Sequence, residues 1–343
     1  MATIAFHTEL VVPVAGGPLT VAVAGPGEPG AAPLVLGVHG ITGSHRSLAV
    51  PARHLAARDI TFLAPDLRGR GASAGLPGPY GLDAHVADLM AVLGYWGAER
   101  AVLTGHSMGA YIVARLAAAH PGRSAGVVLV DGGLPLPVAP GTDTGAALEA
   151  VLGPALARLR MEFASPADYR DFWRRHPAFA DRWSPDVESY VDYDLDGPLG
   201  ALRSKVVESA VRADGRDLLD SAAAGKAVAA VPAPVVLLRA PRGLADEPCP
   251  LLSEAMVDEA RRAVPGMRDV LVADTNHYLI VLGTREAAAV AAEIARVTAS
   301  VGPHAVDSAP STSLSGNVNG APDAGRGLAP TTDGNRRQES GWR

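Results

Sequence analysis

The chain has 343 residues, 48% of them apolar and 19% charged, with a formal net charge of −6. That balance suits a globular protein with one large core and room for an insertion. It carries no basic footprint for nucleic acid or anionic membrane surfaces, no run of about 18 apolar residues for a spanning helix, and only Cys249, which excludes an internal disulfide.

The opening M-A-T-I-A-F-H-T-E-L lacks the basic and long apolar regions of an export signal, so a cytoplasmic location is expected. Residues 3–12 and 18–24 carry β-branched residues in rough alternation around Pro13 and Gly16-Gly17, which predicts a hairpin. Leu34 to Val38 is a short apolar run of the kind buried on both faces. It leads into His39-Gly40-Ile41-Thr42-Gly43, with Ser44 as the expected cap of a helix to about Arg58. Ile60 to Ala64 is the next strand, followed by Pro65-Asp66 and a loop through Ser73. Leu82, Val86, Leu89, Met90 and Leu93 mark an amphipathic helix. Ala101 to Leu103 is a strand, Gly105-His106-Ser107-Met108-Gly109 a turn, and Ala110, Val113, Ala114 and Ala117 begin a helix. Val127 to Val130 is another strand, ending at Asp131.

This alternation predicts a mostly parallel sheet covered by helices on both faces, with the ligand site at the strands' carboxyl ends. His39, Asp66, Ser107 and Asp131 all fall there. Residues 134–231 then show no clear strand. They have a helical stripe at Leu148, Leu152, Leu156 and Leu159, and an aromatic concentration that includes Phe172, Trp173 and Tyr190. They read as an inserted helical cap. Strands return at Val235–Leu238 and Val270–Val272, and a helix runs from Thr284 to about Ser300. Residues 301–343 are rich in Gly, Pro, Ser, Thr, Asn and Asp and poor in large apolar residues, the composition of a disordered tail. The expected divisions are 1–133 and 232–300 for the core, 134–231 for the cap and 301–343 for the tail.

A strand turning at once into a helix around G-x-S-x-G gives that motif its chemical meaning. The tight turn excludes side chains at Gly105 and Gly109 and lifts the Ser107 hydroxyl above the strand ends. The Met108 N–H, at the helix start, would face developing negative charge. The bland alternative is a polar turn with a capping serine. No paired His or Cys spacing suggests a metal. Gly25-x-Gly27 and Gly69-x-Gly71 complete no nucleotide-binding fingerprint, so no cofactor is expected.

Together H-G at 39–40, D-L-R-G-R-G-A-S at 66–73, G-H-S-M-G at 105–109, G-L-A-D at 243–246 and N-H at 276–277 resemble the α/β-hydrolase superfamily, in its lidded serine-nucleophile branch. The resemblance covers about 1–133 and 232–300. It implies a mostly parallel sheet of the eight-stranded type flanked by helices, with the cap inserted. It also implies a triad in the order Ser, Asp, His: Ser107 as nucleophile, His277 as base, and Asp246 holding the imidazole. The backbone N–H groups of Ile41 and Met108 would form the oxyanion hole. Asp131 also follows a strand and is the alternative acid; Glu247 is a third. The interval from strand to Asp246 is about three residues longer than this fold commonly has. His106 and His39 read as packing and loop-ordering residues, and Asp66 and Arg68 as ties between loops.

The function so implied is cleavage of an ester-like bond of a small, largely apolar molecule through an acyl-enzyme. Thioester, lactone, amide and C–C bond cleavage use the same machinery. The competing reading is a receptor-like binding protein on this fold with little catalysis. A small-molecule substrate is the expected partner; oligomeric state is not readable. The cap's arginines could read a carboxylate, or serve packing together with its aromatic residues.

Overall fold

The computed structural model describes residues 5–29, 33–139, 141–232 and 234–302; the tail lies outside these from residue 303 on. In chain order the strands are β1 (Thr8–Val14), β2 (Gly17–Ala24), β3 (Leu34–Val38), β4 (Thr61–Pro65), β5 (Ala101–His106), β6 (Ser124–Val130), β7 (Leu195–Asp196), β8 (Arg203–Ser204), β9 (Val235–Arg239) and β10 (Arg268–Leu271). Eight of them form one sheet in the order β1-β2-β4-β3-β5-β6-β9-β10, while β7 and β8 pair with each other. Only β2 runs antiparallel to its neighbours; from β4 to β10 the sheet is parallel.

Every residue of β3, β4, β5, β6 and β9 is buried, as a sheet covered on both faces requires. Successive side chains alternate between two cores. Leu63, Leu103, Leu129 and Leu237 belong to one, and Phe62, Val102, Val128 and Val236 to the other. The first core is closed by α2 (Leu82–Tyr95) and α3 (Met108–Ala119), the second by α1 (Ala49–Ala56) and, at the chain's far end, α11 (Thr284–Ser300).

The helix expected from Ser44 is broken: His45–Leu48 is a 3-10 turn and α1 follows. Asp66 anchors the start of this turn: its Oδ1 accepts both the His45 N–H (2.8 Å) and the His45 ring at Nδ1 (3.0 Å). Pro51 then sits in the first turn of α1, where its missing N–H has no intrahelical acceptor to lose.

The insertion holds α4 (Thr144–Leu159), α5 (Pro166–Arg174), α6 (Pro185–Tyr193), α7 (Glu208–Leu218) and α8 (Ser221–Ala229). Asp143, Ser165, Ser184 and Asp220 cap the first, second, third and fifth of these through side-chain oxygens, and proline opens α5 and α6. The β7–β8 pair corrects the strandless reading of this region; two residues per strand are too few to show alternation. Helix α8 lies against α3 of the core. Helices α9 (Glu254–Ala263) and α10 (Leu279–Leu282) complete the chain before α11.

Candidate active site

Strand β5 passes into α3 at Ser107, which holds φ 55° and ψ −122°. That left-handed backbone is costly for a residue with a side chain and persists only where its surroundings impose it. The surroundings are close-packed backbone. A Cβ on Gly105 would lie 2.1 Å from the Gly109 carbonyl oxygen, and one on Gly109 would lie 2.1 Å from that of Val38. A Cβ on Gly132 would lie 2.4 Å from the Ser107 carbonyl oxygen, and the Ser107 N–H donates to Val130 O (2.9 Å). Among the described residues the Ser107 hydroxyl makes no hydrogen bond, so it is free to turn within the cavity that it lines.

Met108 is the first residue of α3, so its N–H has no intrahelical acceptor. Ile41 lines the same cavity, on the turn after β3, whose Gly43 N–H donates to Gly40 O (3.0 Å). His39, fully buried, fixes this turn. Its Nε2 accepts the Leu67 N–H (3.0 Å), which leaves the proton on Nδ1 to donate to Gly40 O (2.8 Å). Burial lowers the His39 pKa to about 4, so the ring is neutral at pH 7. Arg70 Nε donates to Ile41 O (2.9 Å), and its Nη1 meets Asp214 Oδ2 of α7 at 2.6 Å. Both side chains are fully buried, so the turn that bears Ile41 is tied to α7.

His277 follows β10 and lines the cavity. Its Nδ1 lies 2.7 Å from Asp131 Oδ2. Asp131 is fully buried, and its Oδ1 accepts the Ala240 N–H (3.0 Å). An ionised carboxylate only accepts, so the imidazole proton sits on Nδ1 and Nε2 is left as the basic atom. His106 Nε2–H donates to the His277 carbonyl (2.8 Å), with the two rings 4.7 Å apart.

Asp246, the expected acid, does not reach the imidazole. Its carboxylate pairs with Arg242 (2.7 Å) and accepts from Asn276 Nδ2 (3.0 Å). The reason lies in the two loops. Asp131 directly follows β6, beside β5 and Ser107, whereas the loop after β9 takes seven residues to reach Asp246 and turns it outward onto Arg242. Glu247 Oε2 accepts the Ala245 N–H (2.6 Å) within the same loop.

Asp66 and Arg68 tie loops together. Asp66 Oδ2 accepts from the Ala72 N–H (2.8 Å) and the Tyr193 hydroxyl (2.7 Å), and Arg68 forks onto Asp88 (2.7 and 2.6 Å). Burial opposes ionisation of Asp66, but its bonds from His45 hold the carboxyl well below the ordinary range. Three contributions escaped the sequence: the Gly132 approach to Ser107, the His106 bond to His277, and the Arg70 link to Ile41. Each joins segments distant along the chain, and the sequence marks only the glycine, in Asp131-Gly132-Gly133.

The cavity measures about 460 Å³. Ser107, His277, Ile41 and Met108 line it together with Leu152 of α4, Trp173 of α5 and Tyr190 of α6. Among the described residues no helix is long and apolar enough to cross a membrane.

Residues 33–183 match the family model described as the alpha/beta hydrolase fold. The chain is 40% identical over 97 residues to lipase LipV of Mycobacterium tuberculosis, covering 28% of this chain and 36% of that one. It is 40% identical over 126 residues to epoxide hydrolase A of the same organism, covering 35% and 37%. The matches thus span well under half the length of these curated relatives. The solved structure of E-2-(acetamidomethylene)succinate hydrolase superposes with a TM-score of 0.69 at 22% identity, over 84% of this chain and 99% of that one. The sheet order and these likenesses agree on the architecture: the chain has the α/β-hydrolase fold, and its residues 33–183 match that family model.

Proposed function

We propose that this protein is a serine hydrolase that cleaves an ester-like bond of a small molecule through an acyl-enzyme. The observation that carries the reading is the elbow: Ser107, held at φ 55°, lines one cavity with His277, whose Nδ1 is fixed by the buried Asp131. A serine hydroxyl is a poor nucleophile unless a base removes its proton as it attacks. His277 Nε2 takes that proton while Ser107 Oγ bonds to the carbonyl carbon. The developing oxyanion meets the Ile41 and Met108 N–H groups. Collapse expels the alcohol, which takes the proton from His277. Water then repeats the sequence on the acyl-serine and releases the acid. Asp131 replaces Asp246 in this account; it holds the tautomer and stabilises the imidazolium.

Opening an epoxide on this fold uses an aspartate nucleophile, and residue 107 is serine. The mostly apolar lining suits a substrate with an apolar stem. The single cysteine, Cys249, fits a reducing compartment, and we place the protein in the cytoplasm. The test is turnover of p-nitrophenyl esters of graded acyl length. Hydrolysis by the wild type and its loss in Ser107→Ala supports the reading; equal hydrolysis by Ser107→Ala overturns it.

A further inference from the structure

The cap end of the cavity holds more hydrogen-bond donors than acceptors. Arg158, on α4, is 3% exposed and lines the cavity. Its Nη1 donates to Asp194 Oδ2 (2.7 Å) and to the Tyr169 oxygen (2.5 Å). Its Nε and Nη2 make no hydrogen bond among the described residues. Asp194 has little left to offer, since it also accepts from the Tyr169 hydroxyl and from Ser204 Oγ.

Further donors gather around Trp173. The Arg158 guanidinium carbon lies 5.1 Å from its ring centroid, and the Tyr190, Tyr278 and His176 rings lie 6.3, 6.1 and 5.6 Å away. All line the cavity. Tyr190 is 5% exposed, and neither its hydroxyl nor that of Tyr278 makes a hydrogen bond among the described residues. His176 Nδ1 accepts the Ala178 N–H (3.2 Å), which puts its proton on Nε2. Among the described residues that line the cavity, the one carboxylate is Glu247, which belongs to the exposed loop after β9 and accepts within that loop.

Packing alone accounts for an arginine paired with Asp194. It does not call for further donors that face the cavity with no protein acceptor, where the oxygens of a bound ligand would meet them in place of water. The planar fork of a guanidinium matches the two oxygens of a carboxylate. We propose that Arg158, Tyr190 and Tyr278 form a subsite for a carboxylate carried by the substrate at the end remote from the scissile carbonyl. Tyr278 adjoins His277, with ring centroids 5.9 Å apart, so the two ends are separated by a short chain. The substrate class is a monoester of a short dicarboxylic acid. The reacting end of this assignment rests on the hydrolase reading; the subsite rests on its own geometry.

The test compares p-nitrophenyl hydrogen glutarate with p-nitrophenyl 5-methylhexanoate, in which a branched alkyl end replaces the carboxylate. The expected wild-type ratio of kcat/KM, hemiester over neutral ester, exceeds about tenfold, the scale of a charge-assisted hydrogen bond. Arg158→Met lowers that ratio at least about tenfold, mainly through KM, by the same scale. Tyr190→Phe removes a hydroxyl with no hydrogen-bond partner among the described residues and lowers the ratio severalfold, which keeps the test open if Arg158→Met fails to fold. A wild-type ratio near one, or ratios unchanged in a folded variant, overturns the subsite. If neither ester is turned over, the hydrolase reading fails, and the subsite is decided by calorimetry of glutarate with the intact protein. Saturable binding weakened by Tyr190→Phe supports it; no binding overturns it.

Discussion

Asp131 Oδ2 and His277 Nδ1 lie 2.7 Å apart, although 146 residues separate them along the chain. Asp131→Asn keeps the shape but can hold the wrong tautomer. It is expected to lower kcat by about 10⁴-fold. Asp246→Asn loses only a partly exposed pair with Arg242, side chains 33% and 46% exposed. Its expected cost is roughly 0–1 kcal/mol of stability, with kcat within about twofold. Steady-state kinetics on both variants checks the assignment.

The sheet and the tight turn at Ser107 were legible because each is written locally. Short apolar runs mark the buried strands, and Gly105 and Gly109 mark a turn with no room for side chains. The partner of the His277 ring was not, because two loops end in an aspartate near the same sheet edge. The choice depends on the path after β9, where Arg242 turns Asp246 away. The buried bonds of Arg70 and His106 were hidden for the same reason: a long-range contact leaves no periodicity.

Gly132→Ala places a Cβ 2.4 Å from the Ser107 carbonyl oxygen and must displace the elbow. A shift of this kind is expected to lower kcat about 10²-fold while circular dichroism stays native. Wild-type kcat with an intact fold would show that the elbow tolerates movement.

Asp214 joins α7 to the turn bearing Ile41 through Arg70, with both side chains fully buried. Burial opposes its ionisation, but Arg70 and His85 hold its carboxyl below the ordinary range. Asp214→Asn leaves Arg70 buried without its counter-charge. Chemical denaturation should show a loss of about 3–5 kcal/mol.

His39 and His106 are buried and neutral. Burial lowers the His39 pKa from 6.5 to about 4, and His106 is lowered well below 6.5 by burial and by His277. The unfolded chain therefore binds more protons below pH 6.5, so this stability is present above 6.5 and is lost as pH falls toward the folded values. Unfolding free energy measured from pH 7.5 to 4 should fall with acid. His39→Gln should flatten the part of that fall between 6.5 and 4. An unchanged slope would mean that His39 is not the group responsible.

Labelling with a fluorophosphonate, followed by peptide mass spectrometry, tests the central claim most directly. One equivalent on the peptide containing Ser107, abolished by Ser107→Ala and strongly slowed by Asp131→Asn, is the predicted result. Folded wild-type protein that takes up no label, or labels at another residue, contradicts it.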